Sequence, residues 1–367
     1  MVGFLAFKSF GFYFIFSLVG FNNFFGVRQK KEKTYKTPFS VIGMAKSPKN
    51  ASMKIKNING LILKELVKRP YSIEGKNKVY NIADSKLWYV TPSQSQAFLD
   101  LEKKDKFQEA VVKKEISLLK ENFNDIFSSV SGKKLNIVDL GCGDGKKAMA
   151  LMGQFRDKSK LRYCPVDISH YMIQKAIQTF SSSSLKKIPI YWNVSSFENI
   201  ENVSEMLKKG NFDSNLFLLL GGTIENSEFH ELMYGIRAAM RDSDVLLIGN
   251  KITSTDPSLV IKYYNSAKYI DELLFKTLEQ LGFSKKEVSY SSRFRGHRIE
   301  MVYTIKVLKV IENHGMKVEF KPGDKVIVAY SYKYSKDSLL EWLNLYFSSV
   351  QPMISKDNSY MLVLCKK

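Results

Sequence analysis

The chain has 367 residues, 44% of them hydrophobic and 25% charged, enough apolar material for a sizeable core and too little bias for a disordered or fibrous protein. Its 56 Lys and Arg against 36 Asp and Glu leave a net charge of +20. That surplus points to anionic partners (nucleic acid, a lipid surface, a phosphate-bearing ligand) or to a merely Lys-rich composition, since no compact basic block dominates. Cys142, Cys164 and Cys365, with four histidines, fall in no metal-ligand spacing, which excludes a disulfide framework or zinc site and suits a reducing, cytoplasmic compartment.

Residues 1–45 read as a hydrophobic and then basic extension. Residues 1–27 are nearly uncharged and rich in Phe, Leu, Val and Ile, and 28–33 is a basic run. Three alternatives stay open: membrane association of 1–33 as a signal-anchor, a cleaved signal, and an ill-ordered extension ahead of a start at Met44 or Met53. The segment 46–110 is basic and weakly patterned at first, with one amphipathic piece at 58–67. Thr91-Pro92-Ser93 then opens a helix, Pro just inside its N-terminus. Phe98, Leu101, Phe107, Val111, Ile116, Leu119 and Phe123 continue a helical rhythm.

From 134 to 249 short apolar runs alternate with helical stretches: strands at 135–140, 161–166, 188–192, 214–220 and 244–248, helices at 146–154, 170–180, 203–208 and 228–240. This alternation predicts an α/β fold, a doubly wound parallel sheet spanning 111–250 with helices on both faces. After Asn250 the rhythm changes. A long helical segment, 257–281, precedes two strand-like stretches, 298–311 and 317–329, parted by the turn-prone Asn313-His314-Gly315. Residues 251–330 therefore read as an α+β insertion or lid, and 331–367, with a helix at 339–347 and a strand at 360–365, as a return to the first sheet.

The strongest local signal is Val138-Asp139-Leu140-Gly141-Cys142-Gly143-Asp144-Gly145, between an apolar strand and a helix. Glycines there allow positive φ and close backbone approach to a ligand at a helix N-terminus. A dinucleotide site would spell G-x-G-x-x-G. Here the third glycine comes one residue early and an acid precedes the first by two. The segment resembles the S-adenosylmethionine loop of class I methyltransferases, D/E-x-G-x-G-x-G. A second-strand carboxylate, for the ribose hydroxyls, is supplied by Asp167, 22 residues after Gly145. Cys164, on that strand, reads as a buried core thiol and not as a pyrimidine-methylating nucleophile.

No Pro-Pro dipeptide follows the fourth strand, where nucleic-acid amino-methyltransferases carry one; the chain reads Gly221-Gly222-Thr223-Ile224-Glu225-Asn226. Nucleic acid is therefore the disfavoured partner. That segment, with Arg298-Ile299-Glu300-Met301, the 320–327 stretch and Ser331-Tyr332-Lys333-Tyr334-Ser335, is similar to the histidine-specific N-alpha-methyltransferases of ergothioneine biosynthesis. The resemblance runs from about residue 87 onward. It implies a Rossmann-like class I fold with a substrate-binding lid, S-adenosylmethionine as cofactor, and a small amino acid or amine as methyl acceptor. Carried over by position, it implies a cofactor site of Asp139, Gly141, Gly143, Gly145, Lys147, Asp167, Gly221 and the pair Ser196-Phe197. Asn226 would hold the acceptor's amino or carboxylate group and Glu300 would face its side chain, with Trp88, Tyr89 and Tyr80 at the family's aromatic clamp. The alternatives are a helix cap for Asn226 and a solvent-facing strand residue for Glu300. The chain departs from the family at Trp88, where a tyrosine is usual, and at Val302, where the histidine enzymes have a hydroxyl. A pocket without that hydroxyl discriminates poorly for imidazole. A macromolecular methyl acceptor, RNA or protein, and a catalytically degenerate cofactor-binding module are the alternative functions.

Overall fold

Two sheets organise residues 56–89, 91–196, 199–208, 210–253 and 256–367, the residues that this computed structural model describes. The extension at 1–45 and Phe197 lie outside them. Fourteen strands follow in chain order: β1 (Ser72–Glu74), β2 (Asn77–Asn81), β3 (Leu135–Leu140), β4 (Leu161–Asp167), β5 (Asn193–Val194), β6 (Ser214–Leu219), β7 (Val245–Lys251), β8 (Val288–Arg295), β9 (Arg298–Ile305), β10 (Lys309–Asn313), β11 (Met316–Phe320), β12 (Lys325–Tyr332), β13 (Ser349–Ile354) and β14 (Tyr360–Lys366).

The larger sheet has the order β5-β4-β3-β6-β7-β14-β13. Strands β3 to β7 are mutually parallel, and β14 runs antiparallel to both β7 and β13. Every residue of β3 and β6 is buried, as near-continuous apolar runs require when helices cover both faces. Successive side chains feed opposite cores: Val138, Leu140, Phe217 and Leu219 join one, Ile137, Leu216 and Leu218 the other. The doubly wound sheet and its returning last strand are as expected. The expected strand at 188–192 reduces to a bridge between Ile190 and Tyr163, because Pro189 has no N–H to continue a ladder.

The smaller sheet has the order β1-β2-β12-β9-β8, beside a β10–β11 hairpin. That hairpin turns on His314 and Gly315, φ 49° and 76°, the mirror-image turn that Asn-His-Gly favours. Ile299, Met301, Tyr303 and Ile305 of β9 pack into one core with Val260, Leu274 and Leu278 from two helices, Pro257–Ser266 and Lys268–Glu279. The long helix expected at 257–281 breaks at Ala267, where ψ of 80° leaves the helical region and lets each half meet the sheet separately. Its N-terminal strands β1 and β2 place residues 72–81 beside β12, β2 running parallel to it. Among the described residues no helix is long and apolar enough to cross a membrane.

Candidate active site

At the end of β3 the chain turns through Gly141, Gly143 and Gly145, with φ of 71°, 54° and 77°, a region that strains any side chain. The Gly141 N–H donates to the Val166 carbonyl at 2.8 Å, tying the turn to β4. Asp167, the last residue of β4, accepts from the Ser169 N–H at 2.8 Å and from the Gly143 N–H at 3.4 Å. A Cβ on Gly145 would lie 2.9 Å from the Tyr163 hydroxyl, so this glycine serves close packing beneath the turn. Asp139 lies there too. It accepts the Tyr163 O–H at 2.8 Å, and burial pushes its carboxyl up to about 7.

Gly141, Gly143, Asp167, Ser196 and Gly221 line a cavity of about 590 Å³. It opens where the parallel strands end, the usual ligand position in open α/β sheets. Asp139, Gly145 and Lys147 are not on its surface and support the turn from below. Among the described residues, Asp84, Asp167, Glu201, Glu228 and Glu231 face this cavity against only Arg69 and Lys86, and Arg69 is paired with Glu65 and Asp84. The global surplus of positive charge is thus inverted locally. Such a wall repels a pyrophosphate and suits a cationic, hydroxyl-bearing ligand. Burial pushes Asp167 up to about 6, which leaves it ionised at neutral pH and able to accept two hydroxyl hydrogen bonds.

Lys147 is committed elsewhere: its ammonium stands 3.3 Å from Glu102 and 3.5 Å from Glu115, and a Cβ on Gly221 would overlap it. Glu115 is fully buried. It accepts from the Gly221 N–H at 2.9 and 3.1 Å and from the Tyr360 hydroxyl at 2.8 Å, so it fixes the loop after β6. Its sequence signal is an acid on the same helix face as Val112, Leu118 and Leu119, a pattern that local motifs do not mark as functional.

A second cavity, of about 340 Å³, shares Tyr89, Phe98, Gly221 and Asn226 with the first. Tyr89 and Phe98 come from two helices, Lys86–Tyr89 and Pro92–Glu102, and their rings meet edge to face. Trp88 lines the second cavity and donates its indole N–H to the Val328 carbonyl at 2.8 Å. Asn226 ends a short 3₁₀ turn, Thr223–Asn226. It is not the cap of the next helix: Glu228 is, accepting from the Glu231 N–H at 2.9 Å. Neither the Asn226 carboxamide nor the Tyr89 hydroxyl bonds another described residue. Burial, then the carboxylates Asp167 and Glu102, push the Tyr89 phenol up, so it stays protonated.

Tyr80 and Glu300 lie outside both cavities. The Tyr80 hydroxyl donates to the Glu319 carbonyl at 3.3 Å and its ring packs on Phe320. Glu300 is 1% exposed, so it is neither an acceptor-facing acid nor a solvated strand residue; Arg293 and Arg298 hold it at 2.7 and 3.1 Å. The neighbour Met301 faces the cavity instead, and strand alternation sends Glu300 and Val302 to the other side. Polar groups on the far side of the second cavity include Glu225, Lys251, Ser331 and Lys333. The Ser331 hydroxyl donates to Glu225 at 3.0 Å, the Tyr264 hydroxyl donates to Ser331 at 3.0 Å, and Lys333 pairs with Glu225. The signal for Ser331 and Lys333 was their period-2 spacing with Ala329.

The strand order, the glycine turn, and an acid closing β4 in a cavity built for a cationic ligand define a class I S-adenosylmethionine-dependent methyltransferase. The chain belongs to the histidine-specific, S-adenosylmethionine-dependent methyltransferases, whose family signature matches residues 104–367. Among solved structures it is similar to an S-adenosylmethionine-dependent methyltransferase from Clostridium acetobutylicum, at 13% identity and TM-score 0.42, over 74% of this chain and 98% of that one. It is also similar to the magnesium protoporphyrin IX methyltransferase of Synechocystis with bound S-adenosylhomocysteine, at 10% identity and TM-score 0.41, over 75% and 94%. No curated protein sequence matches the chain significantly.

Proposed function

We propose that the enzyme methylates the α-amino group of a free amino acid or a related small amine, with histidine, the acceptor in the family's description, as the first to test. The observation that carries this reading is that Tyr89 and Asn226 each line both cavities while their polar ends engage no other described residue. S-adenosylmethionine, held by Gly141, Gly143, Asp167, Ser196 and Gly221, would supply an electrophilic methyl group. Displacement from a sulfonium asks the protein chiefly to position an unprotonated amine in line with that methyl. The Asn226 carboxamide can orient an amine without protonating it. The Tyr89 phenol can hold it by hydrogen bonding but, kept protonated by its surroundings, does not act as a base. The smaller sheet and the Lys86–Tyr89 and Pro92–Glu102 helices would cover the acceptor and exclude water. Calorimetry with S-adenosylhomocysteine and a mass-spectrometric product screen across free amino acids test the reading. Asn226→Ala is expected to lose about tenfold or more in kcat/KM, a ~1.4 kcal/mol effect, with cofactor affinity nearly unchanged. Undiminished turnover in that variant would remove Asn226 from the acceptor site.

A further inference from the structure

The second cavity holds one more cation than its carboxylate neutralises. Glu225 Oε2 takes both the Lys333 ammonium and the Ser331 hydroxyl. Lys251 lines the same cavity, and among the described residues its ammonium has no carboxylate or hydrogen-bond partner, only the face of the Tyr263 ring 5.3 Å from the ring centre. It is the last residue of β7 and lies opposite Tyr360 of β14, so the sheet delivers it to the edge where ligands bind. Burial first, and then the charge of Lys333, lower its pKa, with Glu225 acting the other way. A half-buried ammonium without a counter-ion is a standing cost to the fold. The remaining wall, including Trp88, Phe98, Leu273 and Met301, offers no other charge to compensate it.

We propose that Lys251 is the counter-ion for an anionic group, a carboxylate or a phosphate, carried by the methyl acceptor, so that the second cavity selects amines bearing an acid over amines without one. The proposal rests on the reading of that cavity as the acceptor's site, and it makes Lys251 a determinant of specificity and not of the transfer step. Against the ammonium groups of Lys251 and Lys333 the described lining offers one carboxylate, Glu225, so an anionic group balances the cavity's charge and a cationic side chain adds to its excess.

The test is calorimetry on the full chain saturated with S-adenosylhomocysteine, titrated with matched probes. L-histidine against histamine isolates the α-carboxylate; L-glutamate against L-glutamine, and O-phospho-L-serine against L-serine, isolate a side-chain acid. The acid-bearing member of at least one pair is expected to bind about tenfold or more tightly. Lys251→Met should abolish that preference and Lys251→Arg keep most of it, with S-adenosylhomocysteine affinity unchanged in both. The pair that shows the preference assigns the anion to the α-carboxyl or the side chain. Equal binding within every pair, binding of none of the probes, or a preference that survives Lys251→Met overturns the proposal. A wild-type chain that fails to bind S-adenosylhomocysteine overturns instead the functional reading beneath it.

Discussion

At Gly249 a neighbour, not a backbone angle, forbids a side chain: a Cβ there would overlap the Glu115 carboxylate that holds the Gly221 N–H. Gly249→Ala should therefore lower the unfolding free energy by about 3 kcal/mol and weaken cofactor binding; urea unfolding with calorimetry reads both. Asp139 makes a prediction of opposite sign. Its folded pKa of about 7 stands above the ordinary 3.8, so the folded state binds more protons than the unfolded one and stability falls as pH rises between those values. Asp139→Asn, whose amide oxygen can still accept from Tyr163, should gain about 1–3 kcal/mol at pH 8 and almost nothing at pH 4; no gain at pH 8 would mean the carboxylate is stabilised in the fold. At this scale the glycine turn and Asp167 were legible, because backbone geometry and strand position demand those residue types. Glu300 was not, because one residue of strand phase separates the cavity face from the far face. Glu115 acts on Gly221, 106 residues away in the chain, a distance that local patterns do not bridge.

Among the elements, the helix Pro92–Glu102 begins with a complete capping box. The Thr91 side chain accepts from the Gln94 N–H at 3.1 Å, and the Gln94 amide accepts in return from the Thr91 N–H at 3.1 Å. The cap sits between Tyr89 and Phe98, the two rings that divide the cavities, and the Ser95 hydroxyl of the same helix meets that of Ser169 at 2.7 Å. Thr91→Ala should cost about 1 kcal/mol and, by loosening Tyr89, reduce kcat/KM more than it changes the cofactor Kd; equal losses in both would place the defect elsewhere. The strands of the larger sheet and the Pro92 helix start were readable because apolar runs and cap residues are local signals. The smaller sheet was only partly so. β8 reads Val-Ser-Tyr-Ser-Ser-Arg-Phe-Arg, without a hydrophobic run, and β1 has three residues; tertiary pairing, not propensity, makes them strands. The helical rhythm from Phe98 to Phe123 also hid a π turn at Gln108–Val112, which brings Ala110 and Val111 to the second cavity.

For the molecule as a whole, the formal charge of +20 and the charge met by the cofactor have opposite signs. Residues 1–55 hold nine Lys or Arg and one Glu, a net +8, while the first cavity faces its ligand with a majority of carboxylates. An excess of ATP should therefore fail to displace S-adenosylhomocysteine, although the two share an adenosine; displacement measured by competition calorimetry would contradict the acidic lining as the selecting feature. The placement of β14 has a consequence for biosynthesis. It is translated after every other described strand, yet it lies between β7 and β13, and its first residue, Tyr360, supports Glu115 beneath the loop of Gly221. A nascent chain can thus form the glycine turn early, but the floor of its cofactor site is completed only after β14 has emerged from the ribosome, so the earlier strands must wait for it before the loop of Gly221 is held.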